Sequence, residues 1–213
     1  MSRKTSSRSR SGAFAISSVT FLAISALGIA FSWSLAPRAA GADNEAKGAG
    51  ATSAQDKYTL KVPGGLAFSE FKGYENWSVV AISENGGMIA VILANRVMID
   101  AYRAGFPGNG KPFPEGSKMA KVHWSPKKNE SYPGQPIVPG TQHDVDFMVK
   151  DSNRFADSGG WGWAEFEYDA SSDTFRPGTL ADKPPQGNDA KCGFACHTVV
   201  KTRDYVFTDY GKR

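Results

Sequence analysis

Between residues 76 and 169 the chain breaks into five short runs rich in Val, Ile and aromatic residues, each bounded by Gly, Pro or Asn: NWSVVAI (76–82), MIAVILA (88–94), KMAKVHW (118–124), DVDFMVK (144–150) and WGWAEFEYD (161–169). Runs of this length and content read as β-strands. The first two are joined by SENGG, whose Asn85-Gly86 pair is a strong tight-turn signal. Alternation is clearest in the fifth run, with Trp161, Trp163, Glu165 and Glu167 set against Ala164, Phe166 and Tyr168. Helices are few. ANRVMIDAYRAG (94–105) brings Val97, Ile99 and Tyr102 near one face and offers Gly105 as a stop; a second helix is expected from about Ala195. Pro- and Gly-rich stretches such as FPGNGKPFPEG and SYPGQPIVPG read as loops, and the SSD at 171–173 before Phe175 and Pro177 reads as a turn. The expected class is α+β, mainly an antiparallel β-sheet with a few helices, the last of them at the C-terminus.

The N-terminus sets the compartment. Arg3, Lys4, Arg8 and Arg10 precede an apolar stretch from Ala13 to Leu35 that runs into Ala40, Gly41 and Ala42, the order of a secretory signal peptide with a small-residue cleavage point. Residues 1–42 are therefore read as that signal, cleaved after Ala42; left uncleaved, the stretch would act as a membrane anchor. The formal charge of +4 comes from 25 Lys and Arg against 21 Asp and Glu. Five of the cations and none of the acids fall within residues 1–42, so the mature chain is near −1. The basic balance belongs to the export signal, which removes the main support for a nucleic-acid partner. Residues 43–57, DNEAKGAGATSAQDK, are small and polar without hydrophobic period and read as a flexible linker. One domain over residues 58–213 follows.

Two cysteines are too few for a disulfide scaffold, yet an exported chain lives where thiols oxidise. Both lie in KCGFACH (191–197), with Cys196 and His197 adjacent. In covalent haem attachment two cysteine sulfurs add to the porphyrin vinyl groups, and the histidine after the second cysteine reaches the iron from the same face. The usual spacing is C-x-x-C-H; here one more residue separates Cys192 from Cys196, a bulge that Gly193 can accommodate. Cys192, Cys196 and His197 are thus the cofactor-binding candidates, with His197 on the iron. Two other readings stay open. A Cys192–Cys196 disulfide would close too short a loop to stabilise much and would leave His197 unexplained. A zinc site would need further ligands, and such sites favour spaced pairs over neighbours.

KCGFACHTVVKTRDYVFTDYGKR, with DVDFMVKDSNRFADSGGWGWAEF and ENWSVVAISENGGMIAVILANRVMIDAYRAG, resembles the cytochrome P-460 family from about residue 70 to the C-terminus, with the segments in the family's order. The resemblance implies a periplasmic protein with one covalently attached haem c, a largely antiparallel β fold, and commonly a homodimer. It also implies one of two activities: oxidation of hydroxylamine and handling of nitric oxide on a haem cross-linked to a lysine, or binding of gases such as nitric oxide on a haem without the cross-link, in cytochromes c′-beta. Cys192 and Cys196 would be the thioether positions and His197 the proximal ligand. The cross-linking lysine is expected near the end of DAYRAG, where this chain has Tyr102 and Arg103; Lys111, Lys118 and Lys121 lie further on and would substitute only if the loop folds back. This placement favours a plain haem.

Phe113, Phe147, Phe155, Trp161 and Trp163 are candidate haem walls, each equally at home in sheet packing. His123, His143, Met88, Met98, Met119 and Met148 are the possible sixth ligands. Ordinary packed or solvated roles are expected for the two histidines, leaving one iron face open, as reactivity requires. Asp144, Asp146, Glu165 and Glu167 are available to accept protons. The KDSNRFADSGG stretch with Gly159-Gly160 lacks the strand-to-helix context of a phosphate loop. The expected function is a periplasmic cytochrome that binds or oxidises and reduces small nitrogen species, passing electrons to a periplasmic carrier. The rivals are an electron carrier with six-coordinate haem, and a haem-free exported binding domain closed by the disulfide.

Overall fold

Six strands pair in sequence order into a single antiparallel sheet, β1-β2-β3-β4-β5-β6. They run Ser78–Asn85, Met88–Ala94, Lys118–Lys128, Ile137–Lys150, Trp161–Asp169 and Thr174–Pro177. The computed structural model describes residues 54–62, 65–178 and 193–213. The chain divides into Met1–Ala49 and Gly50–Arg213, and the described residues belong to the second unit. The signal peptide assigned to 1–42, most of the linker assigned to 43–57, and Cys192 lie outside the described residues.

The α+β class expected from the sequence is what the chain adopts, and the five expected strands are β1 to β5. Gly86 and Gly87 turn β1 into β2 with φ of +61° and +76°, values that explain glycine at both positions. Three features differ from expectation. SYPGQPIVPG is a loop only in part, because Ile137, Val138 and Pro139 pair with Lys128, Lys127 and Pro126 and so begin β4. The stretch after SSD is a sixth strand, because Phe166, Glu167, Tyr168 and Asp169 pair with Pro177, Arg176, Phe175 and Thr174. Gln55 extends that edge: its side chain donates to the Phe175 carbonyl and accepts from the Phe175 amide.

The first helix, α1 (Arg96–Arg103), is shorter than its apolar pattern predicts and is turned differently. It buries Met98, Ile99, Ala101 and Tyr102, while Val97 remains 41% exposed. Its start is fixed by Asn95, whose Oδ1 accepts from the Met98 and Lys118 amides while Nδ2 donates to the Gly116 carbonyl. One side chain thus caps the helix and ties it to the start of β3.

The two sheet faces carry separate layers. On one, Ala120, Val122, Val145, Phe147, Val149, Ala164 and Phe166 pack under the N-terminal residues Val62, Leu66, Phe68, Phe71 and Tyr74. On the other, Ile92, Met119, Met148, Trp161 and Trp163 pack with α1, Phe113 and Val206 of the C-terminal segment. Period-two alternation assigns the side chains to these layers. The C-terminal segment includes α2 (Phe194–His197), followed by a 3-10 stretch at Thr198–Arg203. Tyr102 Oη donates to the Thr208 carbonyl and Arg213 to the Val80 carbonyl, which holds the tail across α1 and β1.

Candidate functional site

The register places side chains in rows across the face that the C-terminal segment covers. One row contains Trp163, Met148, Met119 and Ala94; the next Glu165, Asp146, Lys121, Ile92 and Ala81; the next Glu167, Asp144, His123, Ala90 and Ser83. The face therefore grades from apolar to charged along the strands. A cavity of ≈ 460 Å³ opens on it, lined by Ala81, Ile82, Met119, Lys121, Asp146, Met148 and Trp163 from the sheet and by His197 and Phe207 from the C-terminal segment.

His197 reaches this cavity through a short and specific piece of backbone. The His197 amide donates to the Gly193 carbonyl and the Thr198 hydroxyl to the Phe194 carbonyl, closing a single turn. Gly193 is right-handed, φ −88° and ψ −11°, so the bulge credited to its conformational freedom is not made there. Its lack of a side chain is needed for another reason: a Cβ would lie 2.4 Å from Trp163 Cδ1. The turn thus sits directly on the Trp163 indole, and the His197 ring lies 5.4 Å from it and 4.9 Å from the Phe207 ring.

The His197 Nδ1–H donates to the Tyr205 carbonyl at 2.6 Å. That bond fixes the tautomer and leaves Nε2 as the basic nitrogen, without a hydrogen-bond partner among the described residues, the arrangement that metal-binding imidazoles use. Burial lowers the His197 pKa below its usual value, the Tyr205 bond opposes this, and Lys121 adds to the lowering. The imidazole is therefore neutral at neutral pH. Cys196, its neighbour, is free and exposed.

The charged rows are strained electrostatically. Asp146 keeps 46% of its side-chain surface accessible, but that surface faces the cavity, so loss of hydration still dominates. Burial first, then Asp144, raise its pKa, against His123 and Lys121. Glu165 is raised to about 7 by burial, then by Asp146, Asp144 and Glu167. His123 Nδ1 is paired with the Asp144 carboxylate, with Asp146 Oδ2 at 3.8 Å.

Of the expected walls, Trp163 lines the cavity. Phe113 and Trp161 pack in the same layer. Phe147 also touches the cavity lining, but its ring belongs with Phe155 to the opposite layer, stacked 4.1 Å from Phe71. Of the possible sixth ligands, Met119 and Met148 reach the cavity lining, in the Trp163 row; His123, His143, Met88 and Met98 do not. His143 is largely exposed and Met98 fully buried. Lys118 donates to the Glu70 carbonyl, and Lys111 is exposed. Tyr102 and Arg103, where the lysine was expected, lie on α1 away from the lining. Lys121 is the lysine in the cavity, directly across from Asp146. Alternation alone could have found it, since Met119, Lys121 and His123 share one face as do Asp144, Asp146 and Met148.

These residues fit a haem. A neutral imidazole with Nε2 free, a thiol beside it and a cavity of mixed apolar wall and polar rim are what such a group needs. Ile82, 74% exposed, and Phe207, 48% exposed, are large apolar groups on the cavity that nothing in the described chain covers. Trp163 Nε1 is buried without a hydrogen-bond partner among the described residues, and a buried donor of this kind calls for one. Among the described residues no helix is long and apolar enough to cross a membrane. The family model for cytochrome P-460 matches residues 71–208. No curated protein matches the chain.

Proposed function

Because the chain belongs to the cytochrome P-460 family, and so carries covalently attached haem c with iron, we propose that the cavity beside His197 is its site, with a thioether at Cys196, a second at Cys192, and His197 Nε2 on the iron. The Tyr205 carbonyl holds the imidazole in the required tautomer. Trp163 and Phe207 flank the ring and restrict its rotation. Trp163, Ile82 and Phe207 supply apolar area; at ~25 cal/mol per Å² removed from water, such surface favours a flat hydrophobic group.

The reaction that this cavity best supports is oxidation of a small nitrogen substrate such as hydroxylamine, in an exported c-type cytochrome. The observation that carries the choice is the opposed pair Lys121 and Asp146 in one cavity with His197. Bound there, haem iron would supply an electron-accepting centre. Oxidation also releases protons, and Asp146 is the carboxylate placed to take them, its raised pKa making it a better base once ionised. Glu165 and the His123–Asp144 pair continue from Asp146 along the rows, offering the proton further acceptors. Lys121 is the residue to form the family's cross-link to the porphyrin, which reverses the preference for a plain haem drawn from Tyr102 and Arg103. Electrons would leave to a periplasmic carrier, and the resemblance favours a homodimer.

The second reading, binding of nitric oxide without turnover, shares the same axial ligand and differs at Lys121. The test is to mature the chain with the periplasmic haem-attachment machinery and measure hydroxylamine-dependent reduction of an electron acceptor beside the ferrous spectrum. Turnover with a strongly red-displaced ferrous band is expected. An ordinary ferrous band that shifts with nitric oxide, and no turnover, would leave the gas-binding reading in its place.

A further inference from the structure

We propose that Lys150 and Asp204 form a buried charged latch that tunes the bond between His197 and the iron, by holding the Tyr205 carbonyl against His197 Nδ1; this rests on His197 being the axial ligand. Lys150 ends β4 and is 4% exposed. Its ammonium donates to Asp204 Oδ1 at 2.7 Å and to the Gly159 carbonyl at 2.9 Å, and lies 5.2 Å from the Trp161 ring. The second oxygen of Asp204 accepts from the Phe113 amide at 2.7 Å. Four separate parts of the chain thus converge on one carboxylate and one ammonium, far along the sheet from the Lys121–Asp146 row.

The latch has a strained segment to hold. Asp204 and Tyr205 are consecutive non-glycine residues in the left-handed region, φ +51° and +63°. Such residues cost about 1–2 kcal/mol each; Asp tolerates the conformation better than Tyr. Strain of this kind persists only where the surroundings impose it. Here the impositions are visible: the two bonds to the Asp204 carboxylate fix the first residue, and the Tyr205 ring fills the space that a side chain on Gly159 would take, 2.1 Å from that position. The result is that the Tyr205 carbonyl turns back eight residues to His197 Nδ1.

Stability alone gives little reason for an ion pair in this place, since hydrophobic replacements of buried pairs are often neutral or stabilising. Geometry does. A hydrogen bond from Nδ1–H makes the imidazole a stronger donor, and its partner governs ring orientation and ligand strength. Lys150 and Asp204 are then positioning residues, acting on the iron through the Tyr205 carbonyl.

The test uses haem-loaded protein and two variants. Asp204→Asn keeps tolerance for the left-handed conformation and an acceptor for the Phe113 amide; Lys150→Met removes the ammonium while keeping an unbranched chain. The readouts are the iron–histidine stretching frequency of the ferrous form and the reduction potential. Both variants are expected to lower the frequency and raise the potential, Lys150→Met more, with the ferric-to-ferrous preference changing up to roughly tenfold, about 59 mV for one electron. Glu70→Gln, which breaks the ion pair with Arg154 in the opposite layer, should move neither. If Lys150→Met does not accumulate, Asp204→Asn alone decides. Wild-type frequency and potential in the haem-bearing variants overturn the latch and leave His197 as ligand. A wild-type haem with no iron–histidine vibration overturns the assignment of His197, and the latch with it.

Discussion

Replacing Gly159 with alanine tests whether the Tyr205 ring is seated where it must be to support His197. Gly159 has φ +70°, and a Cβ there would lie 2.1 Å from Tyr205 Cε2 and 2.6 Å from Cζ. Two costs are expected. The left-handed backbone costs about 1–2 kcal/mol with a side chain present, and forcing a methyl into a filled space typically costs about 1–3 kcal/mol. Gly86→Ala is the matched control: its φ is +61° but nothing lies within 4 Å of the added carbon, so it pays only the backbone cost. The two variants should differ by about 1–3 kcal/mol, and each kcal/mol moves the unfolding midpoint by about 2–4 °C in a domain of this size. Thermal unfolding of the haem-loaded proteins by far-ultraviolet circular dichroism reads the difference. The Gly159 variant should also weaken the iron–histidine signature, because the displaced tyrosine carries the carbonyl that His197 uses. Equal midpoints for the two variants, or an unaltered iron–histidine signature in Gly159→Ala, would refute the reasoning.

Asp146→Asn should slow hydroxylamine-dependent acceptor reduction by about 10²–10⁴ without changing haem content; a rate within a few-fold of wild type would remove Asp146 from the proton path. Lys121→Met should return the ferrous absorption band to the position of an ordinary haem c, and a band unchanged by this substitution would acquit Lys121 of the cross-link. Glu165 is held near 7 in the folded chain against an ordinary 4.5, so between those values the folded state binds more protons than the unfolded one and stability falls as pH rises. Glu165→Gln should flatten that fall, measured as the urea midpoint across the same pH range; an identical slope in the variant contradicts it.

Much of this fold could be read from the chain because the strand signal is local. Val, Ile and aromatic runs between Gly, Pro and Asn mark β1 to β5 before any tertiary contact is known, and Asn85-Gly86 marks their first turn. β6 escaped because TFRP has no alternation of its own; pairing with Phe166–Asp169 makes it a strand. Val97 was misplaced on the helix because rotation about the axis is set by Asn95 and the sheet beneath, which the periodicity alone does not contain. Cys196 and His197 stood out in the sequence because haem attachment requires such neighbours, and the structure sets His197 on the cavity. Lys121 was named only beside Lys111 and Lys118, because the lysine's place was sought by distance along the chain from α1, whereas strand register puts Lys121 opposite Asp146. The supports of His197 were not legible at all: Tyr205 contributes a carbonyl, which carries no residue signature, and Lys150 and Asp204 are 54 positions apart.

The most direct test of the account is to mature the chain with the haem-attachment machinery, denature and digest it, and identify the fragment that retains haem. The account predicts a coloured fragment containing Cys196 and His197, with a pyridine haemochrome band whose position reports whether Cys192 forms the second thioether. Haem that extracts completely into acidified solvent, leaving Cys196 as an unmodified thiol, would contradict it.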